Sequence, residues 1–349
     1  EIREFSEIAG ARMITTQRGK RWVDPYHPLA RGVFGFAGHA SARAALTDPS
    51  VGLILAAGSD LGEWATAGWD PALLNDRLVH IHDTKACFAR SPMARMHVYG
   101  TVRTVFGRLA ERMEAFAREA RPTTRMDIDG ETSGTPPGVH EASAYVPRQI
   151  RVQAPESCLP EDGPRPLRPQ RVLRELVERF PPETRFLIDN SNSVPWSIHY
   201  FFSRRPENCH LSTGFASMGW AVGAAVGMAM GAAPAPVICL TGDGCYLMSA
   251  QEITVAAERR LPVIFVVLVD RAYGMIQHSL RRAGGEPVAL PVPPVDFCGM
   301  AKAAGADAHV LRRPEDFEKL DYPALCAGKG PTLLEIHIDA AEAPPLGMA

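Results

Sequence analysis

The sequence predicts an α/β protein of two doubly wound parallel-sheet domains. Three observations carry this. Short apolar runs alternate with stretches of helical spacing in both halves of the chain, as strands joined by crossover helices do. An interval rich in proline, glycine and charge separates the halves. In the second half, an apolar strand runs straight into Gly242-Asp243-Gly244, and a second apolar strand ends in Asp270. The domains are placed at residues 1–122 and 168–349, with a long, partly mobile linker at 123–167.

In the first half, Ile2 to Ala11 has helical spacing and Arg12 to Thr16 reads as a short strand. A helix over Ala40 to Leu46 leads to a buried strand from Val51, whose crest is Gly58-Ser59-Asp60. Arg77 to Asp83 is the next strand. Val102 to Ala120 is an amphipathic helix with Val102, Val105, Phe106, Leu109 and Met113 on one face. The linker is marked by Thr132-Ser-Gly-Thr-Pro-Pro-Gly138 and by the prolines from Pro155 to Pro169.

The second half opens with a helix over Gln170 to Phe180, then a strand, Arg185 to Asp189, and a polar loop, Asn190 to Ser193. Trp220 to Met230 is an Ala- and Gly-rich stretch with Gly219, Gly223, Gly227 and Gly231 at four-residue steps, which permits close packing. The strand at 236–241 precedes Gly242-Asp243-Gly244. Ser249-Ala-Gln-Glu252 has the form of a capping box and predicts a helix over 249–260. Pro262 to Val269 is the second strand, a helix lies near Val295–Gly305, and Pro331 to Asp339 is the last strand.

Composition bounds the function. With 37 basic and 39 acidic residues the net charge is −2, which gives no basis for binding nucleic acid or an acidic membrane surface. No apolar run reaches membrane-spanning length, and there is no secretory signal. Seven scattered cysteines without metal-type spacing fit a reduced, cytoplasmic setting. A first residue of Glu1 rather than Met is read as a chain that begins inside a longer parent.

Asp243 and Asp270 place two oxygen ligands at the carboxyl ends of two strands, an arrangement suited to one hard cation. The carbonyl of Ala272 is the candidate third protein ligand; two diphosphate oxygens and a water would complete the octahedron Mg²⁺ prefers. Gly242 and Gly244 allow a phosphate to approach the backbone. The N–H groups of Gly244, Cys245, Tyr273, Gly274 and Met275 lie where a diphosphate would sit, with the dipole of any helix after Gly274 added to them.

The block from Thr241 to Ile276 resembles the thiamine-diphosphate signature of the acetolactate synthase and pyruvate decarboxylase superfamily. Residues 1–122, with His27-Pro28-Leu29, Gly35-Phe-Ala-Gly-His39 and His80-Ile-His-Asp83, resemble its Rossmann-like central domain. Residues 168–349 resemble its diphosphate-binding domain. The resemblance implies Mg²⁺ on Asp243, Asp270 and the Ala272 carbonyl, with Val269-Asp270 where the family usually has two asparagines. Ser212 to Gly219 resembles the pyrimidine-supporting loop: Met218 would lie under the bent cofactor and the Ala216 carbonyl would meet its amino group. Ser191, Asn192 and Ser193 take the place of the family's commoner Gly-Gln-His beside the diphosphate.

The same resemblance implies what lies elsewhere. The activating glutamate belongs to an N-terminal pyrimidine-binding domain, so no catalytic residue is assignable in this chain. That domain is expected from the parent chain or another subunit, in a homodimer or homotetramer, and the fragment alone is expected to be inactive. The substrate would be a 2-oxoacid, decarboxylated and then ligated to a second carbonyl compound as in acetolactate synthases. Some members bind FAD in the central domain; here Gly58-Ser59-Asp60 is read as a bare strand crest without the G-x-G-x-x-G fingerprint. Gln277-His278-Ser279 stands where acetolactate synthases carry a Trp, and His278 is read as a surface-loop histidine. The alternatives are a 2-oxoacid decarboxylase or C–C hydrolase of the same superfamily, a non-catalytic diphosphate-binding fragment, and a dinucleotide-dependent oxidoreductase, which lacks its fingerprint.

Overall fold

Among the residues described by the computed structural model (1–119, 145–154, 158, 166–231, 235–286 and 288–347), every ladder between strands is parallel. The chain divides into two units. One comprises Glu1–Gly19, Val23–Arg151 and Gly347–Ala349; the other comprises Lys20–Trp22 and Val152–Leu346.

The first unit contains α1 (Ile2–Ala9), β1 (Met13–Thr15), β2 (Ala30–Val33), α2 (Ala40–Thr47), β3 (Ile54–Ala57), β4 (Leu78–His82), β5 (Met96–Tyr99) and α3 (Val102–Glu119). Its strands form a pair, β1-β2, and a three-stranded sheet, β3-β4-β5. The apolar face of α3 meets α1, with the rings of Phe5 and Phe106 edge-on at 5.4 Å. The Gly35-to-His39 motif is structural. Gly35 has φ 101, and a Cβ there would lie 1.9 Å from the Trp64 carbonyl oxygen, so only glycine fits. The fully buried His39 accepts the Val33 N–H at its Nδ1, 2.9 Å away.

The crest after β3 is closed by local bonds. Ser59 Oγ accepts the Leu61 N–H at 3.2 Å, and the Ser59 carbonyl accepts from His80 Nε2 at 2.8 Å. His80 Nδ1 lies 2.8 Å from Ser91 Oγ, which in turn lies 3.1 Å from His97 Nε2. Burial, and secondarily His82 and His97, hold the His80 pKa below its ordinary value, against the Ser59 carbonyl and Asp60.

Much of the expected linker at 123–167 lies outside the described residues. Its described part is held in place rather than free. Gln149 Nε2 donates to the carbonyls of Pro25 and His27 at 2.7 and 2.8 Å, and the Arg151 N–H donates to Ser41 Oγ at 3.0 Å. In the second unit, the Gln153 N–H donates to His199 Nε2 at 2.8 Å, and Tyr200 donates to the Gln153 carbonyl at 2.7 Å.

The second unit contains α4 (Pro169–Arg179), β6 (Arg185–Ile188), α5 (Ser193–Tyr200), β7 (Cys209–Leu211), α6 (Trp220–Gly231), β8 (Val237–Gly242), α7 (Asp243–Ser249), α8 (Glu252–Glu258) and β9 (Val263–Val269). There follow α9 (Gly274–Arg282), α10 (Phe297–Ala303), β10 (Asp307–Leu311), α11 (Pro314–Phe317), α12 (Tyr322–Cys326) and β11 (Thr332–His337). Its six strands run in the order β10-β11-β9-β8-β6-β7. β8 and β9 are apolar without alternation because both faces of the sheet are covered: Val237 to Leu240 and every residue of β9 are buried.

The order explains where a ligand can bind. From β6 the chain steps outward to β7 and then crosses back to β8 on the other side. β6 and β8 are neighbours, with Ile188 in register with Leu240, so the connections at their carboxyl ends diverge and leave a crevice. Asp189 and Asp243 both stand at this edge.

One expectation is corrected. Ser249 does not open a helix through a capping box; it closes α7, and α8 starts after Gln251 with no side-chain cap. The chain is already helical from Asp243, and Ser249 packs against Gly219, where a Cβ would lie 2.5 Å from its Oγ.

Candidate functional site

β8 delivers Asp243 directly into the first turn of α7, with Gly242 as the cap residue. The carboxylate is almost fully buried. Its Oδ1 accepts the Gly244 N–H at 2.7 Å and its Oδ2 accepts the Arg271 N–H at 2.8 Å. Asp270 follows β9. Its Oδ1 accepts the Ala272 N–H at 3.1 Å, and its Oδ2 lies 3.4 Å from Asn192 Nδ2. Burial, and then the neighbouring Asp270, push the Asp243 pKa up to about 6. Burial raises Asp270 as well.

The turn between the two acids is shaped for this. Arg271 has φ 58, a left-handed conformation uncommon for an arginine. It reverses the chain so that Ala272 pairs antiparallel with Pro291, through Tyr273 N–H to Leu290 (2.9 Å) and Val292 N–H to Arg271 (3.0 Å). These bonds do not use the carbonyl of Ala272.

Gly274 begins α9 against two site side chains: a Cβ would lie 2.4 Å from Asn192 Nδ2 and 2.9 Å from Asp270 Oδ2, so any side chain there displaces them. Gly244 is similarly close-packed, since a Cβ there would lie 2.8 Å from the Tyr273 ring and displace it. Gly242 abuts Ser191, at 3.1 Å from a built Cβ. The structure therefore brings together Ser191, Asn192, Gly242, Asp243, Gly244, Asp270, Ala272, Tyr273 and Gly274. Met275 is half-buried in the first turn of α9.

Other expected residues serve differently. Ser193 is buried, its hydroxyl donating to the Asp189 carbonyl at 2.8 Å and its N–H to Ser191 Oγ at 3.1 Å; it supports Ser191 from behind. Cys245 is buried, with Sγ 3.3 Å from the Asn190 carbonyl, and burial pushes its thiol up to about 12. Its place in the site rests on its backbone alone. Ala216 (φ 58) and the half-buried Met218 lie on the turn before α6. That turn is tied to the β6 edge by Asn190 Nδ2, which donates to the Ser217 carbonyl at 2.9 Å. His278 is not a surface-loop residue. It is buried on α9, and burial followed by Arg281 lowers its pKa.

Sequence reasoning missed Asp189, Thr241 and Arg271. For Asp189 the signal was present: it is an acid at the end of an apolar strand, as Asp243 and Asp270 are.

The donor set fits a diphosphate held through a divalent cation. The buried Asp243 and the half-buried Asp270 repel each other, and a cation between them removes that penalty. Asn192 Oδ1 is buried without a partner, the kind of orphaned oxygen an additional bound group satisfies. Among the described residues no group of three or more His, Cys, Asp or Glu could hold a metal by itself, so the remaining ligands would come from a carbonyl, water and the bound group. No helix among the described residues is long and apolar enough to cross a membrane.

Comparison with known proteins agrees with this geometry. Residues 189–336 match the thiamine pyrophosphate enzyme C-terminal TPP binding domain, and residues 1–109 match the thiamine pyrophosphate enzyme central domain. The chain is 24% identical over 355 residues to the probable acetolactate synthase large subunit of Methanocaldococcus jannaschii, covering 99% of this chain and 56% of that protein. It is 24% identical over 350 residues to an acetolactate synthase of Arthrospira platensis, covering 98% and 56%. The chain thus spans a little over half the length of the curated relatives it matches. A crystal structure of benzoylformate decarboxylase from Polynucleobacter necessarius shares the fold, with TM-score 0.71 and 21% identity over 98% of this chain and 59% of that one.

Proposed function

The chain belongs to the thiamine pyrophosphate enzymes, of which it carries the central and the C-terminal TPP-binding domains, and from that premise we propose an acetolactate-synthase-like, Mg²⁺-dependent enzyme that decarboxylates a 2-oxoacid and ligates the product to a second carbonyl compound. The observation that carries the proposal is the pairing of the buried Asp243 with the half-buried Asp270 at the ends of the neighbouring strands β8 and β9, beside the switch point of the parallel sheet, with Asp243 raised to about 6.

Asp243, Asp270 and the Ala272 carbonyl would hold Mg²⁺. Ser191, Asn192 and the N–H groups of Cys245 and of the first turn of α9 would hold the diphosphate, where the helix dipole favours negative charge. Ala216 and Met218 would support the pyrimidine. When bound, thiamine diphosphate supplies the electron sink for cleaving the bond beside a 2-oxo group. Gly244 and Gly274 leave Tyr273, Asn192 and Asp270 in their places, and Asn192 steadies Asp270. The long buried strands behind these residues exclude water from the metal side, which strengthens each charge interaction there.

The curated relatives are longer than this chain. We assign the pyrimidine-binding half of the site, with its activating glutamate, to polypeptide outside residues 1–349, in the same chain or in another subunit of a homodimer or homotetramer. Residues 1–349 alone would then bind the cofactor weakly and turn nothing over. The setting proposed is the cytoplasm.

A simple 2-oxoacid decarboxylase is the second reading, favoured by Gln277-His278-Ser279 on α9, which supplies no tryptophan for an acceptor subsite and buries His278. The test uses the full-length protein with Mg²⁺, thiamine diphosphate and a panel of 2-oxoacids, following CO₂ release and product identity. Two-carbonyl adducts support ligation and free aldehyde supports the second reading. No thermal shift with Mg²⁺ and thiamine diphosphate, and no CO₂ from any 2-oxoacid, would sink both.

A further inference from the structure

Asp189 sits at the carboxyl end of β6, fully buried, and every group facing its carboxylate in the bonds of this edge is a donor. Oδ2 accepts the Thr241 hydroxyl at 2.8 Å and the Gly219 N–H at 3.1 Å. Oδ1 accepts the Asn190 N–H at 2.9 Å and the Ala221 N–H at 3.4 Å. One carboxylate therefore ties together three segments: the turn after β6, the last turn-ward residues of β8, and the start of α6. Asn190, the next residue, adds its own bond to Ser217. The segments so joined are the ones that carry Ser191 and Asn192, Asp243, and Ala216 and Met218.

We propose that Asp189 is a positioning residue of the cofactor site, fixing the separation between the turn that bears Ala216 and Met218 and the strand end that bears Asp243. The inference rests on the thiamine-diphosphate reading above. An elongated cofactor touches the two segments with different parts, so its affinity depends on their spacing. Inorganic diphosphate with Mg²⁺ engages the metal arm and the Ser191-Asn192 turn but does not reach the turn that bears Ala216 and Met218, so it senses only part of that spacing. Burial raises the Asp189 pKa, while the Thr241 hydroxyl and the three N–H donors lower it. A charge-assisted acceptor of this kind also gives each bond more strength than a neutral one. Asparagine cannot replace it: one oxygen becomes an NH₂ group, which opposes the donors on that side.

The experiment measures Mg²⁺-dependent binding of thiamine diphosphate and, separately, of inorganic diphosphate to the full-length protein by calorimetry, with intrinsic tryptophan fluorescence as a second signal. The variants are Asp189→Asn, Thr241→Val and Thr241→Ser. Asp189→Asn and Thr241→Val are expected to weaken thiamine diphosphate about tenfold or more, the effect of losing a buried bond to a charged acceptor. Binding of inorganic diphosphate falls several-fold less than that of thiamine diphosphate, and Thr241→Ser, which keeps the hydroxyl, retains cofactor binding. Thr241→Val nearly conserves volume, so it reports even if Asp189→Asn fails to fold. Equal losses for both ligands, or no loss for either, overturn the positioning role. Failure of the unsubstituted protein to bind thiamine diphosphate overturns the cofactor reading itself, and the inference with it.

Discussion

The carboxylate of Asp243 accepts the backbone N–H of Arg271 at 2.8 Å, so the two acidic strand ends are joined through the main chain as well as placed side by side. Asp243 fixes the turn that presents Asp270 and Ala272. The pair is then one unit whose parts respond differently to substitution.

Asp270→Ala removes the like charge that helps raise Asp243. Without Mg²⁺ the thermal midpoint of this variant should equal or exceed that of the unsubstituted chain. The rise in midpoint on adding Mg²⁺ and thiamine diphosphate should vanish. Differential scanning calorimetry with and without both ligands checks this, and a midpoint lowered in the metal-free state would count against it.

Arg271 occupies a left-handed backbone region at φ 58. Arg271→Val, with its branched Cβ, should cost about 1–2 kcal/mol of stability, whereas Arg271→Gly should cost nothing or stabilise slightly. Urea unfolding compares them; equal costs would show that the turn relaxes to another conformation.

Gly274→Ala tests the packing at the start of α9. The added methyl would strike Asn192 Nδ2 at 2.4 Å and Asp270 Oδ2 at 2.9 Å, both ends of side chains that can swing aside. The fold should therefore survive with little change in stability, while Mg²⁺ affinity drops roughly tenfold because a neighbour that orients a ligand has moved. Titration calorimetry with Mg²⁺ and inorganic diphosphate measures the loss; full affinity would refute the assignment of Asn192 and Asp270.

His80 gives the first unit a pH dependence. Its folded pKa is lowered, chiefly by burial, so the unfolded chain takes up the proton first. Stability should be constant above the unfolded value near 6.5 and should fall as the pH drops below it, by at most about 1.4 kcal/mol per pH unit from this group. His80→Gln should flatten that fall. His82, His97 and Asp60 act on His80 and stay in place in the variant, so the difference between the two profiles isolates it. Unfolding curves between pH 5 and 8 provide the comparison.

The α/β class and the central motif were legible because they rest on composition over several residues. The β8 and β9 runs are apolar throughout, and the acids at their ends break the pattern visibly. Short strands were harder. β5, Met-His-Val-Tyr, and β10, Asp-Ala-His-Val-Leu, are partly exposed and mix polar with apolar residues, so no periodicity marks them. The Ser249–Glu252 pattern misled because a cap signal carries no information about whether the chain is already helical, and Asp243 had begun the helix. Arg271 was invisible because its role lies in φ, which the arginine side chain does not announce. Asp189 was readable by the logic applied to Asp243, but its partners Gly219 and Thr241 are brought to it only by the sheet order.

The Cys245 thiol has a chemical consequence for anyone handling the protein. Only a thiolate attacks alkylating reagents or peroxides, and this sulfur is buried, bonded to a carbonyl and pushed up to about 12. Of the seven cysteines, only Cys87 and Cys326 are not buried, and neither belongs to the site. Maleimide labels or mild oxidants should thus mark Cys87 first, since burial and then Glu183 raise the Cys326 thiol, and leave the carboxylate pair untouched. A spectroscopic probe can be attached there, and loss of cofactor binding after oxidation should not be ascribed to the cysteine beside Asp243.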